Sequence, residues 1–212
     1  MQNIKNIILD YGNVLFDIDF SKARQSFIDL GIQEIDKFYG HKAQHSLFDA
    51  FDKGLITADQ FRNEIRKATG NPELTDDAID TAWNSLLIGV RPGHHELLTE
   101  LKQQYRTFLL SNNNEIHYQW ILNHLNREYG LTDNSSFFEK DYYSHLMNMR
   151  KPDPEIFQFV LDTHSLDPAQ TLFVDDSPQH IETAQRLGLQ AYLLAPKDTL
   201  PALLNRLNVM KQ

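Results

Sequence analysis

The 212-residue chain contains no cysteine. Disulfides, thiolate nucleophiles, zinc fingers and iron–sulfur clusters are thereby excluded, and any chemistry must be carried by oxygen and nitrogen side chains. Basic residues are in deficit: 20 Lys and Arg stand against 29 Asp and Glu, for a formal net charge of −9. The positive charge that neutralises phosphates in nucleic-acid complexes is missing, so neither nucleic acid nor an anionic membrane is an expected partner. Long apolar runs are missing too. No stretch approaches the ~20 apolar residues of a membrane span. The first apolar run stops at Asp10, short of a signal-peptide core and without a cleavage pattern, which leads us to expect a cytoplasmic protein. What is present is ordinary for a globular chain: 41% hydrophobic and 23% charged residues, enough for one full domain with a smaller insert. No repeat or low-complexity segment stands out.

Ile4 to Leu9 are mostly apolar and β-branched without alternation, the pattern of a strand buried on both faces of a parallel sheet. Similar short runs cover Thr107 to Leu110, Thr171 to Val174 and Ala191 to Leu194. The first three end in polar turns, at Asp10, at Ser111 and at Asp175-Asp176. Helical patterns lie between them: Pro92 to Gln104, Pro154 to His164, and Pro178 to Leu187 stopping at Gly188. Strands alternating with helices predict a doubly wound parallel sheet, with ligands beyond the carboxyl ends of its strands. Asp10, Ser111 and Asp175-Asp176 should therefore converge. From Phe20 to Leu87 the strand signal disappears. Helix-compatible segments follow one another there: Phe20 to Leu30, Ile35 to Gln44, Leu47 to Lys53, Thr57 to Thr69 and Asp76 to Leu87. Thr57 with Gln60, and Thr75 before Asp76, mark helix starts. The expected architecture is a core of residues 1–15 and 91–212, interrupted by an all-helical insert at residues 16–90.

A carboxylate at the end of a buried strand is costly unless a cation or hydrogen-bond donors compensate it, and it can serve as a covalent nucleophile. Asp10 is such a residue, or else a turn-forming Asp. Asp175 and Asp176 end another core strand, so three carboxylates face one another. Such a cluster repels itself unless a divalent cation sits in it, and hard oxygen ligands without cysteine point to magnesium. The same pair could cap the following helix. Lys151, in Met149-Arg150-Lys151-Pro152-Asp153-Pro154 where the prolines fix a rigid entry into a helix, offers a cation for a transferring phosphoryl group, or an exposed charge beside a helix start. Ser111 offers a hydroxyl and a turn amide to a phosphate oxygen. The i, i+4 pair His41 and His45 has metal-ligand spacing, but a solvated helix face explains it as well. Phe48, Phe51, Phe61 and Trp83 read as the insert's own core.

In order along the chain, these motifs are Ile8-Leu9-Asp10-Tyr11-Gly12-Asn13-Val14-Leu15, Leu109-Leu110-Ser111-Asn112, Arg150-Lys151-Pro152-Asp153-Pro154-Glu155-Ile156-Phe157 and Leu172-Phe173-Val174-Asp175-Asp176-Ser177. Together they resemble the haloacid-dehalogenase-like (HAD) superfamily across nearly the whole chain. The insert after the first motif resembles that family's helical cap. Asp10-Tyr11-Gly12-Asn13-Val14, with Phe16-Asp17-Ile18-Asp19 and Met149-Arg150-Lys151-Pro152, is similar to the subgroup containing bacterial α-D-glucose-1-phosphate phosphatase.

The resemblance implies a magnesium-dependent phosphatase acting on a small phosphorylated metabolite, such as a sugar phosphate, through an aspartyl phosphate on Asp10. It places Mg²⁺ on Asp10, the Gly12 carbonyl and Asp176, with Asp175 as a ligand or a support. Ser111, Asn112 and Lys151 would hold the phosphate, Lys151 would also orient Asp10, and Asp17 is a candidate substrate contact. One position departs from the pattern. Most family phosphatases carry an Asp two places after the nucleophile, which protonates the leaving alcohol, and here Gly12 stands there. Asp17, His41 and His45 are candidate substitutes. Two other readings stay open: a metal-independent 2-haloacid dehalogenase, and a non-catalytic metal-binding or regulatory protein.

Overall fold

The computed structural model describes residues 3–32, 39–40, 43–44 and 46–210; His41 and His45 lie outside them. The apolar run expected to form the first buried strand does so, with β1 (Asn6–Leu9) carrying Ile7, Ile8 and Leu9 at zero exposure. Parallel partners flank it: β6 (Arg106–Ser111) on one side and β8 (Thr171–Asp175) on the other. Outside these lie β7 (Lys140–Tyr143) and β9 (Gln190–Leu193), giving the order β7-β6-β1-β8-β9, parallel throughout. The chain runs outward from β1 to β7 and then returns to β8 beside β1. The topological switch, where α/β sheets bind ligands, thus falls between the strands that end at Asp10 and Asp175. The fold is the predicted α/β doubly wound sheet.

Because successive strand residues point to opposite faces, the sheet divides its apolar residues into two layers. Ile7, Leu9, Leu109, Leu172 and Val174 join one cluster, and Ile8, Phe108, Leu110 and Phe173 the other. The first layer is covered by three helices: α5 (His94–Gln104) with Leu97, Leu98 and Leu101, α6 (Glu115–Tyr129) with Ile121 and Leu125, and α10 (Leu200–Arg206) with Leu203 and Leu204. The second is covered by α8 (Pro154–His164) with Ile156, Phe157 and Val160, and by α9 (Pro178–Arg186) with Ile181 and Ala184.

Between β1 and α5 the chain forms α1 (Phe20–Asp29), α2 (Ser46–Asp52), α3 (Ala58–Thr69) and α4 (Asp76–Asn84). Thr57 and Gln60 make the reciprocal capping box expected at the start of α3, and the Thr75 hydroxyl accepts from the Ala78 amide at the start of α4. The aromatics of these helices are indeed a core. Phe51 stacks on Phe61 at 4.5 Å between centroids, and Phe48, Phe61 and Phe27 surround Trp83 at 5.1, 5.6 and 5.8 Å. Each such pair contributes about 0.5–1.5 kcal/mol beyond the area it buries.

The structure corrects the sequence reading in several places. Residues 16–90 are not all helical: β2 (Phe16–Ile18) pairs antiparallel with β5 (Leu87–Val90), forming a two-stranded ribbon at the two ends of the insert. Each strand is too short for its periodicity to register. A second small pair, β3 (Tyr39–Gly40) with β4 (Ala43–Gln44), falls where a helix was expected. Strand β7 was unforeseen because an edge position tolerates the polar Lys140-Asp141 start. Helix α6, the longest of the described helices at 15 residues, and the four-residue α7 (Ser144–Met147) were also unforeseen. No helix among the described residues is long and apolar enough to cross a membrane.

Gly54 follows α2 in the left-handed region at φ +65, and a Cβ there would lie 2.2 Å from the carbonyl oxygen of His145. Left-handed backbone alone costs a non-glycine residue about 1–2 kcal/mol, and a clash with backbone cannot be relieved by rotating a side chain. Gly54→Ala is expected to lower the thermal melting temperature by several degrees; an unchanged melting curve would show that the insert does not depend on this close approach.

Candidate active site

Asp10, Ser111, Asp175 and Asp176 occupy the ends of buried strands or the turns just after them, and Lys151 reaches them from the segment that follows α7. Asp10 follows β1, and its amide donates to the Val174 carbonyl of β8 at 3.0 Å, which holds it level with Asp175. Asp175 ends β8 with no exposed surface, and Asp10 is almost as deeply buried. Between them sits the Lys151 ammonium, itself wholly buried. Its Nζ donates to Asp10 Oδ1 at 2.7 Å and to Asp175 Oδ2 at 2.6 Å.

The backbone of Lys151 is fixed as firmly as its tip. Its amide donates to Asn112 Oδ1 at 2.9 Å and its carbonyl accepts from Asn112 Nδ2 at 2.8 Å, so one side-chain amide grips both backbone groups. The Lys151–Pro152 peptide is cis. Asp175 accepts further bonds from the Ser177 amide at 2.8 Å and from His180 Nδ1 at 2.9 Å. Since the carboxylate can only accept, that histidine nitrogen carries the proton. Asp176 accepts from Asn13 Nδ2 at 2.9 Å, with Asn13 in the left-handed conformation of the turn after β1.

Ligand oxygens of Asp10, Asp175 and Asp176 all lie within 4.8 Å of one another. Three carboxylates with one ammonium leave an excess of two negative charges, which a divalent cation would balance. The donor set is all hard oxygen, as magnesium or calcium demands. Without a cation the strain appears in protonation. Burial, with Asp175 and Asp176 adding to it against the opposing pull of Lys151, raises Asp10 to about 7. Burial also works against Asp175, but Lys151 and His180 outweigh it and lower it to about 2. Lys151 is held above its ordinary value, because the two carboxylates outweigh its own burial.

Of the other predicted residues, Ser111 ends β6 and is buried, its hydroxyl making a long 3.4 Å contact with the Asn112 carbonyl. Gly12 lies in the turn after Asp10, bridged to Phe16. Asp17 stands apart: its Oδ1 accepts from Arg91 Nε at 2.6 Å, joining the β2 strand to the residue after β5. Sequence reasoning passed over Asn13, which sits within the first motif, and His180, which sits in the helix just after the fourth. The signal for Asn13 was the Gly-Asn turn after the strand, and His180 is one turn into the helix that follows Asp175.

Comparison with known proteins assigns the chain to a family. The haloacid dehalogenase-like hydrolase family matches residues 4–188, and the chain belongs to that family. The D-ribitol-5-phosphate phosphatase of Bacteroides thetaiotaomicron is 33% identical over 189 residues, spanning 89% of this chain and 91% of its own. A HAD family enzyme from the same organism, solved in complex with magnesium and inorganic phosphate, shares 35% identity. It superimposes with a TM-score of 0.85 over 95% of this chain and 99% of its own. A HAD-like family hydrolase from Porphyromonas gingivalis shares 30% identity with a TM-score of 0.87, over 98% of this chain and 99% of its own.

Raised to about 7 in the metal-free fold, Asp10 binds a proton there that the unfolded chain releases near 3.8. Its contribution to stability is therefore full at acid pH and lost as pH rises through 7. Asp175 is ionised in both states across this window. Buried His117, lowered to about 3 by desolvation, pushes the other way, so the comparison must be with Asp10→Asn. The melting temperature of metal-free wild type, relative to that variant, is expected to fall between pH 5 and pH 8, and a divalent cation should flatten the fall. A difference independent of pH would contradict the charge balance described above.

Proposed function

We propose that this chain is a magnesium-dependent phosphomonoesterase acting on a small sugar or polyol phosphate, with residues 16–90 as a cap over the substrate. The observation that carries the reading is the buried Asp10–Lys151–Asp175 arrangement facing Asp176 at the switch point. A fixed nucleophile, an internal cation and a hard-ligand cluster are what phosphoryl transfer asks of a protein. The phosphatase named among its relatives, and the related structure holding magnesium and phosphate, support it.

Asp10, Asp176 and the Gly12 carbonyl would hold the metal. Asp175, whose oxygens already accept from Lys151, Ser177 and His180, would act as support. When bound, Mg²⁺ supplies positive charge that keeps Asp10 ionised at neutral pH and draws charge from the phosphoryl oxygens. Asp10 attacks phosphorus through a carboxylate oxygen as the bond from phosphorus to the ester oxygen breaks, and the leaving alkoxide takes its proton from solvent. Ser111, Asn112 and Lys151 line the phosphate end, where the ammonium offsets charge on the transferring group. Water then attacks phosphorus, breaking the bond to Asp10, and the carboxylate is regenerated with release of phosphate and a proton. Gly12 has no side chain to protonate the leaving alcohol, which favours substrates whose leaving oxygen needs least help.

The first test is phosphate release from a panel that includes glucose 1-phosphate, ribitol 5-phosphate and an aryl phosphate, with and without Mg²⁺. Magnesium-dependent release that Asp10→Asn reduces to the enzyme-free level is expected. Equal release by wild type and variant would overturn the reading. The second test restores the missing acid. A Cβ on Gly12 would lie 3.0 Å from Ile18 Cδ1, so Gly12→Asp is best combined with Ile18→Val, which removes that methyl. The double variant is expected to gain about tenfold or more on an alkyl phosphate and little on an aryl phosphate. Equal changes on both would show that protonation of the leaving group is not what Gly12 forgoes.

A further inference from the structure

Arg150, the neighbour of Lys151, is buried, with 5% of its side chain exposed, although it is an obligate cation. Burying an unpaired guanidinium is very costly, so its partners must matter. They come from two directions. Its Nη1 donates to Asp49 Oδ1 at 3.0 Å and lies 3.6 Å from Asp52 Oδ2, both in α2 of the insert. Its Nε donates to the Lys151 carbonyl at 3.2 Å, the same oxygen that accepts from Asn112. One planar fork therefore touches the insert with one end and the backbone of Lys151 with the other.

The surrounding contacts tie the same two segments together. The Ser144 hydroxyl donates to the Asp52 carbonyl at 2.5 Å, and Asn114 Nδ2 donates to Asp52 Oδ1 at 3.2 Å from the loop after Ser111 and Asn112. Asp52 is thus tied to both segments that form the phosphate end of the site: its carboxylate accepts from Asn114 and lies 3.6 Å from Arg150, and its main-chain carbonyl accepts from Ser144. The Asp49 carboxylate, bonded to Arg150 through Oδ1, also lies 3.5 Å from Lys53 through Oδ2.

We infer that Arg150 is a positioning residue for Lys151, and that Asp49 and Asp52 set its orientation, so that docking of the insert fixes the phosphate-binding end of the site. This rests on the phosphatase reading for what Lys151 does, but not for the coupling itself. The guanidinium fork is essential to it. A lysine at position 150 could reach one carboxylate, yet it could not hold that partner and the Lys151 carbonyl in one plane.

The test compares wild type with Arg150→Lys, Arg150→Met and Asp49→Asn/Asp52→Asn. Four quantities are measured: kcat and KM for phosphate release, the dissociation constant of inorganic phosphate in the presence of Mg²⁺, that of Mg²⁺ alone, and the melting temperature. Loss of kcat and of phosphate affinity by about 10–100-fold is expected in all three, the scale of a small misplacement of a reacting group. Mg²⁺ affinity should move much less, because Asp10 and Asp176 are untouched. Arg150→Lys should recover melting temperature more than it recovers phosphate affinity. Folded variants whose kcat and phosphate affinity stay within twofold of wild type would overturn the inference and leave Arg150 as a structural tie. Should Arg150→Met fail to fold, the Asp49→Asn/Asp52→Asn pair, which keeps Arg150, decides the matter by the same two readouts. A wild type inert toward every ester, with variants that still lose phosphate affinity, would overturn the phosphatase reading while supporting the coupling.

Discussion

The structure depends on one buried ammonium. Lys151 has no exposed surface, and its charge is met on both sides, by Asp10 from β1 and Asp175 from β8. Removing one partner of a buried ion pair typically costs about 3–5 kcal/mol, so each of the three side chains constrains the other two. The arrangement still leaves negative charge in excess once Asp176 is counted. That residual charge is the physical reason the site suits a divalent cation, and it adds to the burial that raises Asp10 to about 7 in the cation's absence. Stability and chemistry are here set by a single electrostatic balance.

The remainder of the fold serves to place that ammonium. A parallel sheet brings β1 and β8 side by side at the switch point, and the two apolar layers keep their ends in register. Lys151 arrives on the segment between α7 and α8, where Asn112 binds its amide and carbonyl together. The insert has its own aromatic centre around Phe61 and Trp83, yet its apolar side chains continue into the layer beneath the sheet. It meets the Lys151 segment through α2 and the Arg150 fork, and its two chain ends are joined by the β2–β5 ribbon with the Asp17–Arg91 pair across it.

Much of this was legible in the sequence, for physical reasons that also explain the omissions. Strands buried on both faces declare themselves as apolar runs, which is why β1, β6 and β8 could be read, while edge strand β9 shows through its apolar Ala191–Leu194 run although only Ala191 of the strand is buried. The polar residues that end them stood out because charge is rare at such positions. Edge strand β7 starts with Lys140 and Asp141, and the ribbon strands are too short for periodicity, so neither carried a signal. The catalytic candidates lie inside contiguous motifs. Arg150, Asn13 and His180 act through partners that are distant in sequence or known only from side-chain geometry: Asp49 lies 101 residues from Arg150, and Asn13 lies 163 residues from Asp176. Asp17 shows the converse: a carboxylate that looked available from its motif is engaged by an arginine 74 residues away.

The central claim is that Asp10, poised by Lys151, becomes covalently phosphorylated. It is tested most directly by quenching the enzyme during turnover, reducing the acyl phosphate with borohydride and mapping the peptides by mass spectrometry. Conversion of Asp10, and of no other carboxylate, to homoserine is expected, dependent on both substrate and Mg²⁺. Recovery of the Asp10 peptide unmodified from an enzyme that is turning over, with the label on another residue, would contradict it.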